Sequence, residues 1–183
     1  AVARERGVPV VTMGDVIREA CRNRGLDPAE HHGEVARALR AEDGPAAIAE
    51  RSLPMIEAAL DGSDAVLVDG LRSDVELDRF RDVFGDAFRL VSVEAPFETR
   101  ADRLDRESLR EREERELGFG MGEVMDRADI VIENTDTLDA YRERIRAVLD
   151  GDLDRVADSE SVDLRGADAS VPAGGDTTGG DGR

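Results

Sequence analysis

The sequence predicts an α/β protein built on a parallel sheet with helices on both faces. Short β-branched or aliphatic runs alternate with amphipathic helical stretches, which is the pattern of strands buried on both sides. Each run ends in polar residues of a kind that bind ligands at the carboxyl edge of such a sheet. With 183 residues, there is material for one domain with a sizeable core.

Val8 to Met13, VPVVTM, follows a glycine and suits a buried strand. GDVIREACRNRG continues as a helix with Val16, Ile17 and Ala20 on one side and Gly25 as its stop. LDPAEHH reads as a turn, GEVARALRAEDG as a polar helix, and PAAIAERSLPMIEAAL as a helix starting on Pro45 with a kink or break at Pro54. Ala65 to Val68 forms the second strand and ends at Asp69. Ser73 and Glu76 make an S-x-x-E capping box for a helix running to about Phe84, which Gly85 terminates. Phe88 to Val93 is the third strand, and the charged segment from Pro96 to Glu116 is helical by propensity. Ile130 to Ile132 is a fourth strand, and a helix from Thr137 to Leu149 closes the domain at residues 1–150. Residues 151–183 are rich in Asp, Gly, Ser and Thr and read as a disordered acidic tail.

Acids outnumber bases 43 to 25, the formal charge is −18, and every base is arginine, since the sequence has no lysine. Such a surface stays soluble where salt screens strongly, which points to a halophilic cytoplasm. It argues against nucleic acid as a partner, because a polyanion is repelled. No apolar run is long enough to span a bilayer, so a membrane is not expected either. Cys21 alone forms no internal disulfide and reads as a small core residue of an intracellular protein. Oligomeric state is not legible.

The strand ends supply the candidate site: Thr12, Gly14 and Asp15 after the first, Asp69 and Arg72 after the second, Glu94 after the third, Asn134 and Thr135 after the fourth. An apolar run ending in Asp69 is the pattern of a carboxylate that holds magnesium, directly or through its waters, near nucleotide phosphates. Arg72 suits paired hydrogen bonds to a phosphate. The same two residues also suit a D-G turn and a surface ion pair. Arg18 lies about one turn into its helix, where the dipole favours an anion. Arg100, Arg103 and Arg106 fall on one helical side, either as a phosphate clamp or as a solvated face laced with acids. GFGMG, residues 118–122, follows no strand and is discounted as a phosphate loop. His31 and His32 have no nearby cysteine to complete a metal site.

These segments resemble the adenylate-kinase-like P-loop kinases. TMGDVIRE resembles their monophosphate-binding segment, VLVDGLR their Asp-Gly segment, RADRLDR their arginine-bearing lid, and ADIVIENTDTLDAY the base loop and final helix of dephospho-CoA kinases and nucleoside monophosphate kinases. The combination of MGD-x-x-R with DG-[IL]-R is closest to the archaeal UPF0200 family. The resemblance implies an ATP- and magnesium-dependent phosphotransferase acting on a nucleotide or nucleotide-like acceptor. It implies Thr12, Gly14, Asp15 and Arg18 around that acceptor, Asp69 at magnesium and Arg72 on the acceptor phosphate. Arg100 and Arg103 would then hold the donor phosphates, and Asn134 and Thr135 would lie beside the donor base.

Such kinases open with a strand and G-x-x-x-x-G-K-[ST], and this sequence contains neither. AVARERG fits the end of the helix that follows that loop, so the central first strand is expected to be missing from this chain. Either the natural product starts upstream, or the chain is poorly stable and catalytically inactive. The alternative function is a non-catalytic nucleotide-binding or scaffold protein with the same fold.

Overall fold

The computed structural model describes residues 2–96, 121–152 and 162–164. Helix α1 (Val2–Glu5) is followed by β1 (Val10–Thr12), α2 (Met13–Asn23), α3 (Pro28–Asp43) and α4 (Ala47–Leu60). Then come β2 (Leu67–Asp69), α5 (Asp74–Phe84), a single 3-10 turn (Gly85–Ala87) and β3 (Val91–Glu94). Helix α6 (Met121–Asp126), β4 (Ile130–Glu133), α7 (Leu138–Leu149) and β5 (Val162–Leu164) complete the described chain.

The strands are parallel in pairs rather than hydrogen-bonded into one sheet. β1 pairs with β2 in the register Val10 to Leu67, Val11 to Val68 and Thr12 to Asp69. β3 pairs with β4 from Val91 opposite Ile130 to Glu94 opposite Glu133. Among the described residues, β2 and β3 share no ladder. Between them lies a cleft of about 570 Å³ whose walls include Val66, Val68, Phe84, Phe88, Val91 and Val93. Val93 is 43% exposed and Leu67 38%, high values for strand residues in an α/β core. The acidic segment expected to lack structure supplies β5, antiparallel to β4, with Leu164 packed against Ile130 and Ile132. The reading of an unstructured tail is therefore corrected at these three residues, where an apolar V-x-L alternation finds an open edge. The rest of the segment beyond Asp152 lies outside the described residues.

Local chemistry explains the element ends. After α2, Leu26 N donates to Cys21 O at 2.9 Å and Gly25 N to Arg22 O at 3.0 Å, with Gly25 at φ +70°. This is a Schellman stop, and Leu26 packs back onto the core. LDPAEHH is helix rather than turn: Asp27 caps α3 by accepting from Ala29 N at 2.9 Å, and Pro28 takes the first helical position. α4 runs unbroken through Pro54. Pro54 is exposed, so the carbonyl that loses its donor faces solvent instead of core.

The main core gathers Met13, Ile17 and Cys21 from α2, Val35 and Leu39 from α3, Ile48, Leu53 and Ile56 from α4, and Phe80 from α5. A smaller cluster places Ile130, Ile132 and Ala147 against Val91, Tyr141 and Leu164. Helix α5 connects the halves. Arg81 Nη2 donates to Arg127 O at 2.9 Å and to Asp129 Oδ1 at 3.2 Å, while Asp129 Oδ2 accepts from Leu90 N at 2.6 Å. At the opposite end, Arg6 pairs with Asp150 at 2.6 Å and Arg146 with Glu5 at 3.0 Å, holding α1 on α7.

Leu39 is 1% exposed in the main core. Leu39→Ala should cost about 2–5 kcal/mol, read by urea unfolding in high salt. Several ion pairs lie at the surface, as between Arg51 and Asp43, whose side chains are 47% and 46% exposed. Screening these pairs loses little, whereas screening a net charge of −18 removes repulsion. Raising KCl from about 0.1 M to about 2 M should therefore raise Tm by roughly 5 °C or more, since the Debye length falls well below 10 Å.

Candidate functional site

The register of β1 with β2 sets Thr12 abreast of Asp69 at the carboxyl ends of two parallel strands. Each strand then turns at once. Thr12 leads into α2, and its side chain makes no capping hydrogen bond. Asp69 leads into Gly70, whose φ of +104° belongs to a region that side-chain-bearing residues rarely adopt. A Cβ on Gly70 would stand 3.5 Å from Met13 Cβ, and 3.7 and 3.8 Å from the Met13 and Gly14 amide nitrogens. The D-G turn thus packs directly on the start of α2. Asp69 is exposed and, with Arg72, borders the cleft between β2 and β3.

Around Gly14 the structure adds a residue to those expected. A Cβ there would lie 3.3 Å from Arg18 Nη1 and 3.6 Å from His32 Nε2. Arg18 and His32 therefore flank the bare first turn of α2. His32 was legible only as half of a weak metal pair, because its place depends on how α3 crosses α2. Arg18 pairs with Asp15, Nη2 to Oδ1 at 2.6 Å, with the two side chains 38% and 52% exposed. An exposed pair of this kind contributes at most about 1 kcal/mol, so an incoming phosphate competes for Arg18 at small cost.

The backbone of Arg72 is held by Glu76. Ser73 Oγ accepts from Glu76 N at 3.3 Å, as the capping box requires. The Glu76 carboxylate reaches one residue further back than the motif predicts, and Oε2 accepts from Arg72 N at 2.9 Å. Oε1 accepts from Arg40 Nη2 at 3.0 Å, a partner on α3 that sequence spacing does not reveal.

The donor-side expectations are less assembled. Asn134 N donates to Glu94 O at 2.6 Å, and Thr135 is exposed in the loop before α7. Arg144 secures that loop through Glu133 O at 2.9 Å and an ion pair with Asp136. Neither Asn134 nor Thr135 borders the cleft. Arg100 and Arg103 lie outside the described residues. Among the described residues, no group of three or more Asp, Glu, His or Cys forms a cage for a metal. A single exposed Asp69 suits magnesium, which keeps several waters and takes one or two carboxylates plus substrate phosphates. Among the described residues, no helix is long and apolar enough to cross a membrane.

A family model described as an AAA domain matches residues 1–117, placing this chain in the P-loop, kinase-like class of nucleotide-binding folds. The mixture of helices and parallel strands agrees with that class. Within it the chain belongs to the UPF0200 family. A UPF0200 protein of Halobacterium salinarum is 55% identical over 160 residues, covering 82% of this chain and 84% of that protein. A UPF0200 protein of Methanosarcina mazei is 42% identical over 164 residues, covering 84% of this chain and 87% of its own length. In Archaeoglobus fulgidus a UPF0200/UPF0201 protein is 42% identical over 159 residues, covering 81% of this chain and 49% of that protein.

The Cβ contacts at Gly70 are ordinary in length, so the penalty of Gly70→Ala is conformational. That substitution should cost about 1–3 kcal/mol by thermal unfolding and speed amide exchange through residues 69–76.

Proposed function

We propose that this protein is an ATP- and magnesium-dependent phosphotransferase for a nucleotide or nucleotide-like acceptor, of the nucleoside monophosphate kinase or dephospho-CoA kinase type. One observation carries the reading. Two turns from different strands pack on each other: Asp69 stands abreast of Thr12, and Gly70, two residues before Arg72, rests on Met13 and Gly14 at the start of α2, which carries Arg18. A carboxylate for magnesium and guanidinium groups for a phosphate are the groups that phosphoryl transfer needs, because its catalysis is mostly positioning and charge stabilisation.

In this reading Arg72 and Arg18 hold the acceptor phosphate, with Thr12, Gly14 and Asp15 lining its approach. Asp69 orients magnesium through its waters. Arg100 and Arg103 neutralise the donor phosphates, and Asn134 and Thr135 receive the donor base. Among the described residues β2 and β3 share no ladder, and this and the cleft between them support a further element of the proposal: an additional parallel strand fills the cleft and delivers a phosphate loop opposite Asp69. A second reading, monophosphate binding without any transfer, rests on the acceptor-side groups alone, since Thr12 and Asp69 stand abreast and Arg18 flanks Gly14, while Asn134 and Thr135 do not border the cleft.

The test is phosphoryl transfer from ATP to AMP or dephospho-CoA in magnesium and high salt, using the chain supplied with the strand and loop of a UPF0200 relative. Arg72→Met and Arg18→Met should raise the acceptor KM roughly 10- to 100-fold, in line with loss of a charge-assisted phosphate contact. Asp69→Asn should lower kcat at least about 100-fold while leaving monophosphate affinity within about 2-fold. Monophosphate binding with no ATP consumption would establish the second reading.

A further inference from the structure

Glu76 is a carboxylate with 0% exposure in the first turn of α5, next to the equally buried Leu77 and after the half-buried Ser73, Asp74 and Val75. A buried charge persists only when its hydrogen bonds are met, and its two oxygens serve different parts of the molecule. Oε2 takes the amide of Arg72 at 2.9 Å, within its own strand-to-helix turn. Oε1 takes the guanidinium of Arg40 at 3.0 Å, from α3, with the Arg40 side chain 25% exposed. The same helix α3 places His32 beside Gly14 and Arg18, a little over two turns before Arg40. Helix α3 therefore touches both halves of the candidate site, the start of α2 through His32 and the Arg72 turn through Arg40.

We propose that Glu76 and Arg40 are a positioning couple that holds the Arg72 turn in register with α3, so that affinity for an acceptor phosphate is set by two side chains that do not touch it. The role of Arg72 in holding that phosphate rests on the phosphotransferase reading above, but the positioning itself does not. Release of Arg40 frees one oxygen of a buried carboxylate, and the cheapest response is rotation of Glu76 toward water. That rotation also lets go of the Arg72 amide. The turn then loses the bond that fixes its backbone beneath the Arg72 side chain, while α3 stays anchored by Val35 and Leu39 in the core.

Two measurements on the full chain in high salt decide the matter. Hydrogen exchange at the Arg72 amide should quicken roughly 10-fold or more in Arg40→Met and in Glu76→Gln, with Arg40→Lys recovering part of the protection. AMP titration should give a Kd raised roughly 10-fold by Arg40→Met, with Arg40→Met/Arg72→Met no weaker than Arg72→Met alone. Such non-additivity marks Arg40 as acting through Arg72, which a general loss of stability would not produce. Unchanged exchange at Arg72, or strictly additive effects on AMP affinity, would overturn the couple. If the parent chain binds neither AMP nor dephospho-CoA, the phosphotransferase reading falls and the exchange measurement alone decides positioning. If Arg40→Met does not fold, Glu76→Gln and Arg40→Lys carry the same two readouts.

Discussion

A carboxylate removed from water must have its oxygens satisfied, and the arrangement of this site follows from how Glu76 meets that demand. Its own helix supplies no donor for the carboxylate, so one oxygen draws in the preceding turn and the other draws in α3. The turn between β2 and α5 is short and begins with a glycine at positive φ. Holding its Arg72 amide leaves it little freedom, and Arg72 and Asp69 stay at the mouth of the cleft.

The second constraint is the parallel register of β1 with β2. Parallel strands begin their connections from the same edge, so the turns after Thr12 and Asp69 necessarily meet. Gly70 lets them meet closely, because a bare Cα rests against Met13 and Gly14. The helix dipole of α2 and the acid at Asp69 then occupy one small region of opposed charge. In the proposed function a hydrated divalent cation and a phosphate share that region.

The two pairs of strands are joined by side chains instead of a backbone ladder. Arg81 and Asp129 fasten α5 to the start of β3, and the ion pairs of Arg6 and Arg146 fasten α1 to α7. Arginine suits this work, since its planar fork bonds carbonyls and carboxylates at once, as Arg81 and Arg144 do. Among the described residues these ties leave β2 and β3 without a shared ladder, with the cleft between them.

Much of the element order is local chemistry and was legible. Gly25 and Gly85 stop helices, Ser73 and Thr137 cap them, and the strand runs near Val11, Val68 and Ile132 fall within a few residues of their expected bounds. The misjudged places also have physical causes. LDPAEHH holds an Asp cap and a first-position proline, signals of a helix start that a turn reading passes over. Val162–Leu164 is too short to declare itself, and only the open edge of β4 makes it a strand. What the sequence by itself determined was which residue types stand at the strand ends, because periodicity and turn chemistry act over a few residues. Only the tertiary structure decided that His32 joins Arg18, that Glu76 answers to Arg40, and that Asn134 stands away from the cleft, because those relations depend on how helices cross and strands pair across tens of residues.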